Sequence, residues 1–474
     1  MKMAENIRIT VNGRTVEAKL GARLSDILDS VLDTDNKLEK PCGGKGTCGK
    51  CKVRVNGADT LACRYTVESE IDVQTYKTGE IVSESGIAES HALTENLCLA
   101  LDIGTTTLAL ALVSLDDKAV VRTVTAVNPQ RAFGADVISR IEYCQRNTVR
   151  ELQAVLAERI NGMIGELCAG ELDRLYVSAN VTMLHTLFGI DCSSIGVAPY
   201  TPAFLNGKRV PAESIGLRGV RTVISLPSVA SFVGADIVAG LHCIGMPEDG
   251  KYNLLIDLGT NAEIALYSNS SGVATAAAAG PCFEGANISC GMSATDGAVY
   301  AFSLDHSHAS YKTVGDKRAS GICGTGLIDL ISELLKNGII DETGYMDDDY
   351  AVADGVYLSP EDVRQYQLAK SAVYSAILSL MRIEGIGFGD ISKMYISGGF
   401  SAKINTANAA ASGLLPRELI GKTQAIRNSS LQGTVKYACE GGDIDRYTRI
   451  IKYIDLSADA FFSNAFMENM MFEE

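Results

Sequence analysis

Apolar and polar residues alternate through IRITVNGRTVEAKL (residues 7–20) and break at Asn12-Gly13, which predicts two paired strands about a tight turn. LSDILDSVLD (24–33) spaces its apolar residues at helical intervals and predicts a short helix. KVRV (52–55) alternates again, Asn56-Gly57 marks a second hairpin, and a further strand is expected near Ile71. Residues 66–96 then turn acidic and Ser/Thr-rich, the composition of a last strand followed by a linker. From Leu97 the pattern changes to nearly continuous apolar strands. LALDIGTTTLALAL begins at Leu99 and LLIDLGTNAEIAL at Leu254; each is a buried strand, an Asp-x-Gly-Thr turn and a second strand, with Asp102 and Asp257 offset by 155 residues. LYVSAN (175–180) and MYISGG (394–399) echo each other in the same order. Two echoes in register predict an internal duplication. The expected organisation is an α+β unit over 1–75, a linker over 76–96, and a duplicated α/β unit over 97–474 with halves at about 97–250 and 251–474.

With 474 residues, 46% of them apolar, two or three domains are expected. No apolar run approaches the ~18 residues of a spanning helix. The N-terminus lacks the charged, apolar and small-residue regions of a signal peptide, so a cytoplasmic protein without membrane partners is expected. The net charge of −15 argues against nucleic-acid binding. Charge is uneven: residues 1–66 carry 12 Lys and Arg against 8 Asp and Glu, which leaves the remainder at −19. A small basic piece is joined to a large acidic one, suited either to simple solvation or to docking on an acidic surface.

Of thirteen cysteines, Cys42, Cys48, Cys51 and Cys63 cluster with the spacing C-x5-C-x2-C-x11-C. Disulfides do not suit a chain without an export signal. Zinc sites use C-x2-C pairs, and only Cys48 and Cys51 form one. An iron–sulfur cluster fits better: three thiolates share a loop and a fourth returns on a later strand, close to the plant-type [2Fe–2S] spacing. Gly43, Gly44, Gly46 and Gly49 let that loop wrap tightly and bring backbone N–H groups to the sulfides. With the flanking hairpins and helix, this is the layout of a β-grasp [2Fe–2S] ferredoxin, a one-electron carrier.

In the larger part, Asp102-x-Gly104-Thr105-Thr106 and Asp257-x-Gly259-Thr260-Asn261 suit phosphate: glycine permits a tight hairpin, amides and hydroxyls meet the anion, and the aspartate holds hydrated Mg²⁺ or orients a water. One such loop is weak evidence, since Asp-Gly turns are usually structural; two on duplicated halves would clamp one nucleotide. Gly324 and Gly326 in GICGTGLIDLISELL open a helix, and Gly398 and Gly399 in SGGF would let a nucleoside lie against backbone. No P-loop motif is present, and GADVISR, GADIVAG and GTGLID are not G-x-G-x-x-G dinucleotide loops. His306 and His308 in DHSH read as surface residues, and His185 as a core residue. Phe461, Phe462, Phe466, Met470, Met471 and Phe472 read as core packing or a homodimer contact.

The duplicated Asp-x-Gly-Thr pattern resembles the acetate and sugar kinase, Hsp70 and actin (ASKHA) superfamily, whose two halves close on ATP. More narrowly the chain resembles the reductive activators of corrinoid proteins, through CGGKGTCGKC, LALDIGTTT, VNPQRAFGADVISRI, ANVTMLH, LPSVASFVGADIVAG, IDLGTNAEIAL, AAGPCFEGANISCGM, GICGTGLIDL, VRQYQLAKSAV, ISGGFSAKI and YIDLSADAFFSNAF. It departs from them at Ala179, where the family commonly has glycine, and in having only about 30 residues where longer members insert a domain. The resemblance implies an enzyme with a [2Fe–2S] cluster and ATP with Mg²⁺, which takes an electron from an upstream donor and reduces the inactive Co(II) corrinoid of a methyltransferase partner protein to Co(I). No D-x-H-x-x-G is present, so a corrinoid is expected on the partner rather than on this chain. A redox-regulated small-molecule kinase and a nucleotide-binding redox sensor are the alternatives.

Overall fold

A computed structural model of the chain describes residues 6–32, 38, 51–75, 96–134, 136–168, 170–305, 308–399 and 403–472. The N-terminal unit pairs β1 (Asn6–Val11) with β2 (Arg14–Lys19) and β3 (Lys52–Val55) with β4 (Ala58–Leu61). Each hairpin turns at an Asn-Gly with positive φ at both residues (49° and 81°, then 49° and 85°), the requirement that selects this dipeptide. β5 (Asp72–Thr75) inserts parallel to β1 and antiparallel to β3, so the sheet order is β2-β1-β5-β3-β4. Helix α1 (Leu24–Val31) closes a core of Ile9, Val11, Leu24, Leu28, Val53, Val67 and Val73.

Two six-stranded sheets follow. In the first, β6 (Leu97–Ile103), β7 (Thr107–Ser114) and β8 (Ala119–Val127) form an antiparallel meander. Helices α2 (Val137–Arg146) and α3 (Val149–Leu167) lead to β9 (Leu172–Ala179), which lies parallel to β6. After α4 (Val181–Phe188) and the short β10 (Arg209–Pro211), β11 (Val220–Ser225) pairs parallel with β9 and leads into α5 (Ala235–Ile244).

The second sheet repeats the plan. β12 (Tyr252–Leu258), β13 (Ala262–Tyr267) and β14 (Gly272–Ala277) form the meander. An insertion follows: β15 (Ala298–Asp305), β16 (His308–Thr313), β17 (Gly321–Ile322), helix α6 (Gly324–Lys336), and the hairpin β18 (Tyr350–Ala353) with β19 (Val356–Leu358). Helix α7 (Pro360–Glu384) then reaches β20 (Ile391–Ser397), parallel to β12; α8 (Thr406–Ala411) reaches β21 (Thr423–Ala425), parallel to β20; and α9 (Ser429–Glu440) follows. The chain closes with α10 (Asp445–Ile450), β22 (Ile451–Tyr453) and α11 (Ala460–Glu468). The orders β10-β11-β9-β6-β7-β8 and β21-β20-β12-β13-β14-β22 share five strands in the same sequence, an internal duplication seen in topology.

The halves are tied through their last helices. α9 follows the second sheet yet lays Leu431 on Cys98, Ala100, Ala109 and Tyr176 of the first. It crosses α5 where Gly240 and Gly433 lack side chains. One apolar cluster draws residues from both halves, with Leu255, Tyr267 and Tyr395 packed among Leu99, Leu175 and Val223. In the tail, Phe472 is buried and stacks on Tyr366, while Phe462 and Phe466 pack against the second core. His185 is buried, with Nδ1 2.7 Å from the Val181 carbonyl and Nε2 accepting from the Ala203 amide at 3.0 Å, as a core histidine should be. His308 is exposed at the start of β16, and His306 lies outside the described residues.

Candidate active site

The two Asp-x-Gly-Thr turns close the β6–β7 and β12–β13 hairpins. Gly104 N donates to the Thr107 carbonyl and Gly259 N to the Asn261 carbonyl, both at 2.9 Å. A β-carbon on Gly104 would fall 2.8 Å from the Thr107 oxygen, so glycine is needed for the tight turn. The first loop is clamped from behind. Asn128 Nδ2 donates to the Gly104 carbonyl at 2.8 Å, and Asn180 Nδ2 to Thr105 Oγ1 at 3.1 Å. Arg140, fully buried, donates to the carbonyls of Thr105 (2.5 Å) and Gly134 (2.9 Å). In the second loop Thr260 Oγ1 donates to Glu284 Oε2 at 2.5 Å. Gly398, at φ 114°, sits against the strand that leads into this loop: a β-carbon there would lie 2.2 Å from the Leu258 carbonyl.

Between the loops stands a set of carboxylates from both halves. Asp102 ends β6 and is paired in the ladder with Ser178; Asp257 ends β12 and is paired with Ser397. Ser430 of α9 donates to Asp102 Oδ1 at 2.7 Å, and Asn428 also bonds this carboxylate. Ser397 bonds Asp257 and itself accepts from Ser429 Oγ at 2.8 Å. Burial pushes Asp102 up to about 6 against the pull of Ser430 and Asn428. Asp257 rises to about 6 through burial and then the Asp102 charge. Asp236, in the first turn of α5, rises highest of the three, to about 7: burial acts first, the Ile237 amide opposes it, and the charges of Asp257 and Asp102 add to it. Glu263 is pushed well above its usual value by burial and then by Asp236 and Asp257, and Glu284 is raised by burial against Thr260 and Arg131. All five keep partial exposure, so they line a cleft rather than a sealed core. Among the described residues no three His, Cys, Asp or Glu converge as a metal cage. Carboxylates raised by burial, three of them also by their neighbours' charges, suit a hydrated cation and proton transfer from water.

The structure thus brings Asp102, Asp257 and their loops together. Gly324 and Gly326 are enclosed instead: β-carbons would fall 2.2 Å from the Phe283 carbonyl and 2.1 Å from that of Val299, so packing of α6 by itself requires glycine at both. In the N-terminal unit Cys51 and Cys63 are buried at the open ends of the β3–β4 hairpin, where the Ala62 amide donates to the Cys51 carbonyl at 2.9 Å. Cys42 and Cys48 lie outside the described residues. Asp236, Glu263, Glu284 and Ser430 were not singled out from the sequence. The available signal for Asp236 was an acid opening an apolar helix in GADIVAG.

The family model for the C-terminal, ASKHA domain of RACo matches residues 251–474, and that for the RACo middle region matches residues 97–249. The corrinoid activation enzyme RamQ of Eubacterium limosum is 29% identical over 419 residues, covering 79% of this chain and 70% of that protein. The [Co(II) methylated amine-specific corrinoid protein] reductase of Methanosarcina barkeri is 25% identical over 392 residues, covering 75% of this chain and 72% of its own. A solved structure of a reductive activator for a corrinoid, iron–sulfur protein superimposes with a TM-score of 0.72 at 26% identity over 98% of both chains. No described helix is long and apolar enough to cross a membrane. With its two matched regions, its duplicated fold and these relatives, the chain belongs to the reductive activators of corrinoid proteins.

Proposed function

We propose that this chain couples ATP turnover in the cleft between residues 97–250 and 251–474 to delivery of one electron to a partner corrinoid protein, taking cobalt from Co(II) to Co(I). The observation that carries the reading is the meeting of Asp102, Asp236 and Asp257 between two Asp-x-Gly-Thr loops in a chain of this family. Gly104, Thr105 and Thr106 would take phosphate oxygens from one side, and Gly259, Thr260 and Asn261 from the other. Gly398 and Gly399 leave room for the nucleoside, and Gly324 and Gly326 set the start of α6 beside it. Asp102 and Asp257 would hold the waters of Mg²⁺. Asp236, titrating near 7 with only backbone donors to hold its charge, is suited to accept the proton of the attacking water.

The N-terminal unit, residues 1–75 joined by 76–96, reads as the β-grasp ferredoxin. Its mixed five-stranded sheet and helix α1 support this, and Cys51 and Cys63 stand at neighbouring strand ends, a fit to two of four thiolates on one cluster. Cys42 and Cys48 would complete it. A [2Fe–2S] cluster there supplies one-electron storage, filled by an upstream donor. Lowering cobalt to Co(I) against a gap of about 300 mV costs about 7 kcal/mol, which is why closure of two halves on a nucleotide belongs with an electron carrier.

The test is Co(I) absorbance after mixing the reduced chain with a Co(II) corrinoid protein of a methyltransferase system. Co(I) should form with MgATP and fall to a small fraction without it. Equal yield in both arms would sink the coupling and leave a ferredoxin with a nucleotide-binding passenger.

A further inference from the structure

Behind Asp102 lies a set of buried hydroxyls with no part in the mechanism above. Ser178 on β9 and Thr434 on α9 are fully buried, and Ser430 nearly so. Ser430 donates to Asp102 Oδ1 at 2.7 Å, and a serine has one hydrogen to give. Its 2.8 Å contact with Ser178 must therefore be made by the Ser178 hydroxyl. Thr434 Oγ1 lies 2.7 Å from Ser178 Oγ and 2.8 Å from the Ser430 carbonyl, and its one hydrogen is divided between these two acceptors. The other acceptor within reach of Ser178, the Leu101 carbonyl, is 3.5 Å away and competes poorly. The hydrogens thus run from Ser178 through Ser430 to Asp102, with Thr434 against the first of these donors, and each bond polarises the next. Thr434 and Ser430 belong to the second half; Ser178 and Asp102 are ladder partners in the first. Small residues at a tight helix–sheet contact are often mere packing. Alanine and valine would satisfy packing without the cost of burying three hydroxyls, and none of the three is idle here.

We infer that Ser430 is a positioning residue for Asp102, ordered from behind by Ser178 and Thr434. Holding Oδ1 fixes the plane of the carboxylate between the charges that face it, Asp236 on α5 and Asp257 on β12, with the Asn428 amide as the other support from α9. Because the chain of donors crosses from one half to the other, Asp102 is aimed only when α9 is seated on the first sheet. The functional consequence rests on the cleft being the nucleotide site; the hydrogen-bonding consequence does not. Orientation counts most in the transition state, so its loss lowers kcat more than it raises KM.

The full chain would be made as Ser430→Ala, Ser430→Thr and Thr434→Val, each checked for an unchanged melting profile. ATP hydrolysis is measured beside the infrared carboxylate stretch assigned to Asp102 by its loss in Asp102→Asn. Ser430→Ala should lower kcat between about ten- and a hundredfold with KM for MgATP within about twofold. Ser430→Thr, which keeps the hydroxyl, should restore most of the rate, and Thr434→Val should cost less, about threefold, since it acts through two further links. The Asp102 stretch should shift in Ser430→Ala, shift less in Thr434→Val, and return in Ser430→Thr. A wild-type kcat in Ser430→Ala, or Ser430→Thr as slow as Ser430→Ala, overturns the kinetic role. An Asp102 stretch untouched by Ser430→Ala overturns the inference itself. Absence of turnover in the wild type would fault the nucleotide reading alone, while the infrared comparison still decides whether Ser430 holds Asp102.

Discussion

Gly433 on α9 lies so close to Ala239 on α5 that a β-carbon built on it falls 1.7 Å from the Ala239 carbonyl oxygen. The two helices that follow the two sheets therefore meet backbone to backbone. Gly433→Ala cannot be absorbed by a rotamer change, and the cost should be about 1–3 kcal/mol or more, the usual range for overpacking. Gly162, on the exposed side of α3, has nothing within 4 Å. Gly162→Ala should stabilise, by about 0.5–1 kcal/mol from helix propensity. Thermal unfolding of the two variants should move in opposite directions; a Gly433→Ala protein that melts with the wild type would mean that α5 and α9 do not meet as described.

The cleft carboxylates set a pH dependence of stability. Asp102 and Asp257 titrate near 6 and Asp236 near 7, each raised first by burial from an ordinary value of 3.8. Between these values the folded chain holds more protons than the unfolded one, so stability falls with rising pH. This contribution is complete below about 3.8 and lost as pH passes through about 6 to 7. The nucleotide-free protein should melt lower at pH 8 than at pH 6, Mg²⁺ should narrow the difference, and Asp236→Asn should remove part of it. A melting temperature that is flat or rising over this interval contradicts the crowding of charge in the cleft.

Removal of the proposed proton acceptor should be visible in kinetics. Asp236→Asn keeps shape and burial but cannot take a proton, and kcat for ATP hydrolysis should drop about 10²–10⁴-fold, with MgATP still bound. Asp102→Ala and Asp257→Ala should lose turnover as well. The visible spectrum of the N-terminal unit should stay unchanged in all three, because Asp102 on β6, Asp236 on α5 and Asp257 on β12 all lie outside the elements of that unit. Normal hydrolysis in Asp236→Asn would assign the base elsewhere.

Cys63 is the thiol carried back by the β3–β4 hairpin. Anaerobically purified chain should be red-brown, hold about two irons, and give one S = 1/2 signal on reduction. Cys63→Ser should strip or distort that centre, since a hydroxyl is a poor substitute for a soft thiolate. One zinc and no colour would replace the electron carrier with a structural metal.

Local chemistry made part of this molecule readable from its residues. Asn12-Gly13 and Asn56-Gly57 declare their hairpins because both positions take positive φ. Asp102 and Asp257 were legible because the tight turn and the acid lie within a few residues and recur. Asp236, Glu284 and Ser430 were not, because what makes each of them part of the site is a partner far along the chain: Ser430 meets Asp102 across 328 positions. Local reading also has a bias. Gly324 and Gly326 look like a ligand turn in sequence, yet the backbone of Phe283 and Val299 accounts for both by contact alone. Nothing in a linear pattern separates a glycine that makes room for a phosphate from one that makes room for a neighbouring strand.

The two helices that close the halves differ in sequence, and one of the differences falls at matched places beside the carboxylates. The second residue of α5 is Asp236, which faces Asp257; the second residue of α9 is Ser430, which faces Asp102. A perfect repeat would offer an incoming nucleotide two equivalent poses, each a half-turn from the other. With an acid at one position and an alcohol at the other, the cleft has a heads and a tails. In the proposed reaction a terminal phosphate would have one side from which water can be deprotonated and one side where the carboxylate is held still. Duplication supplies the jaws; the mismatch between Asp236 and Ser430 would give the proposed bite its direction.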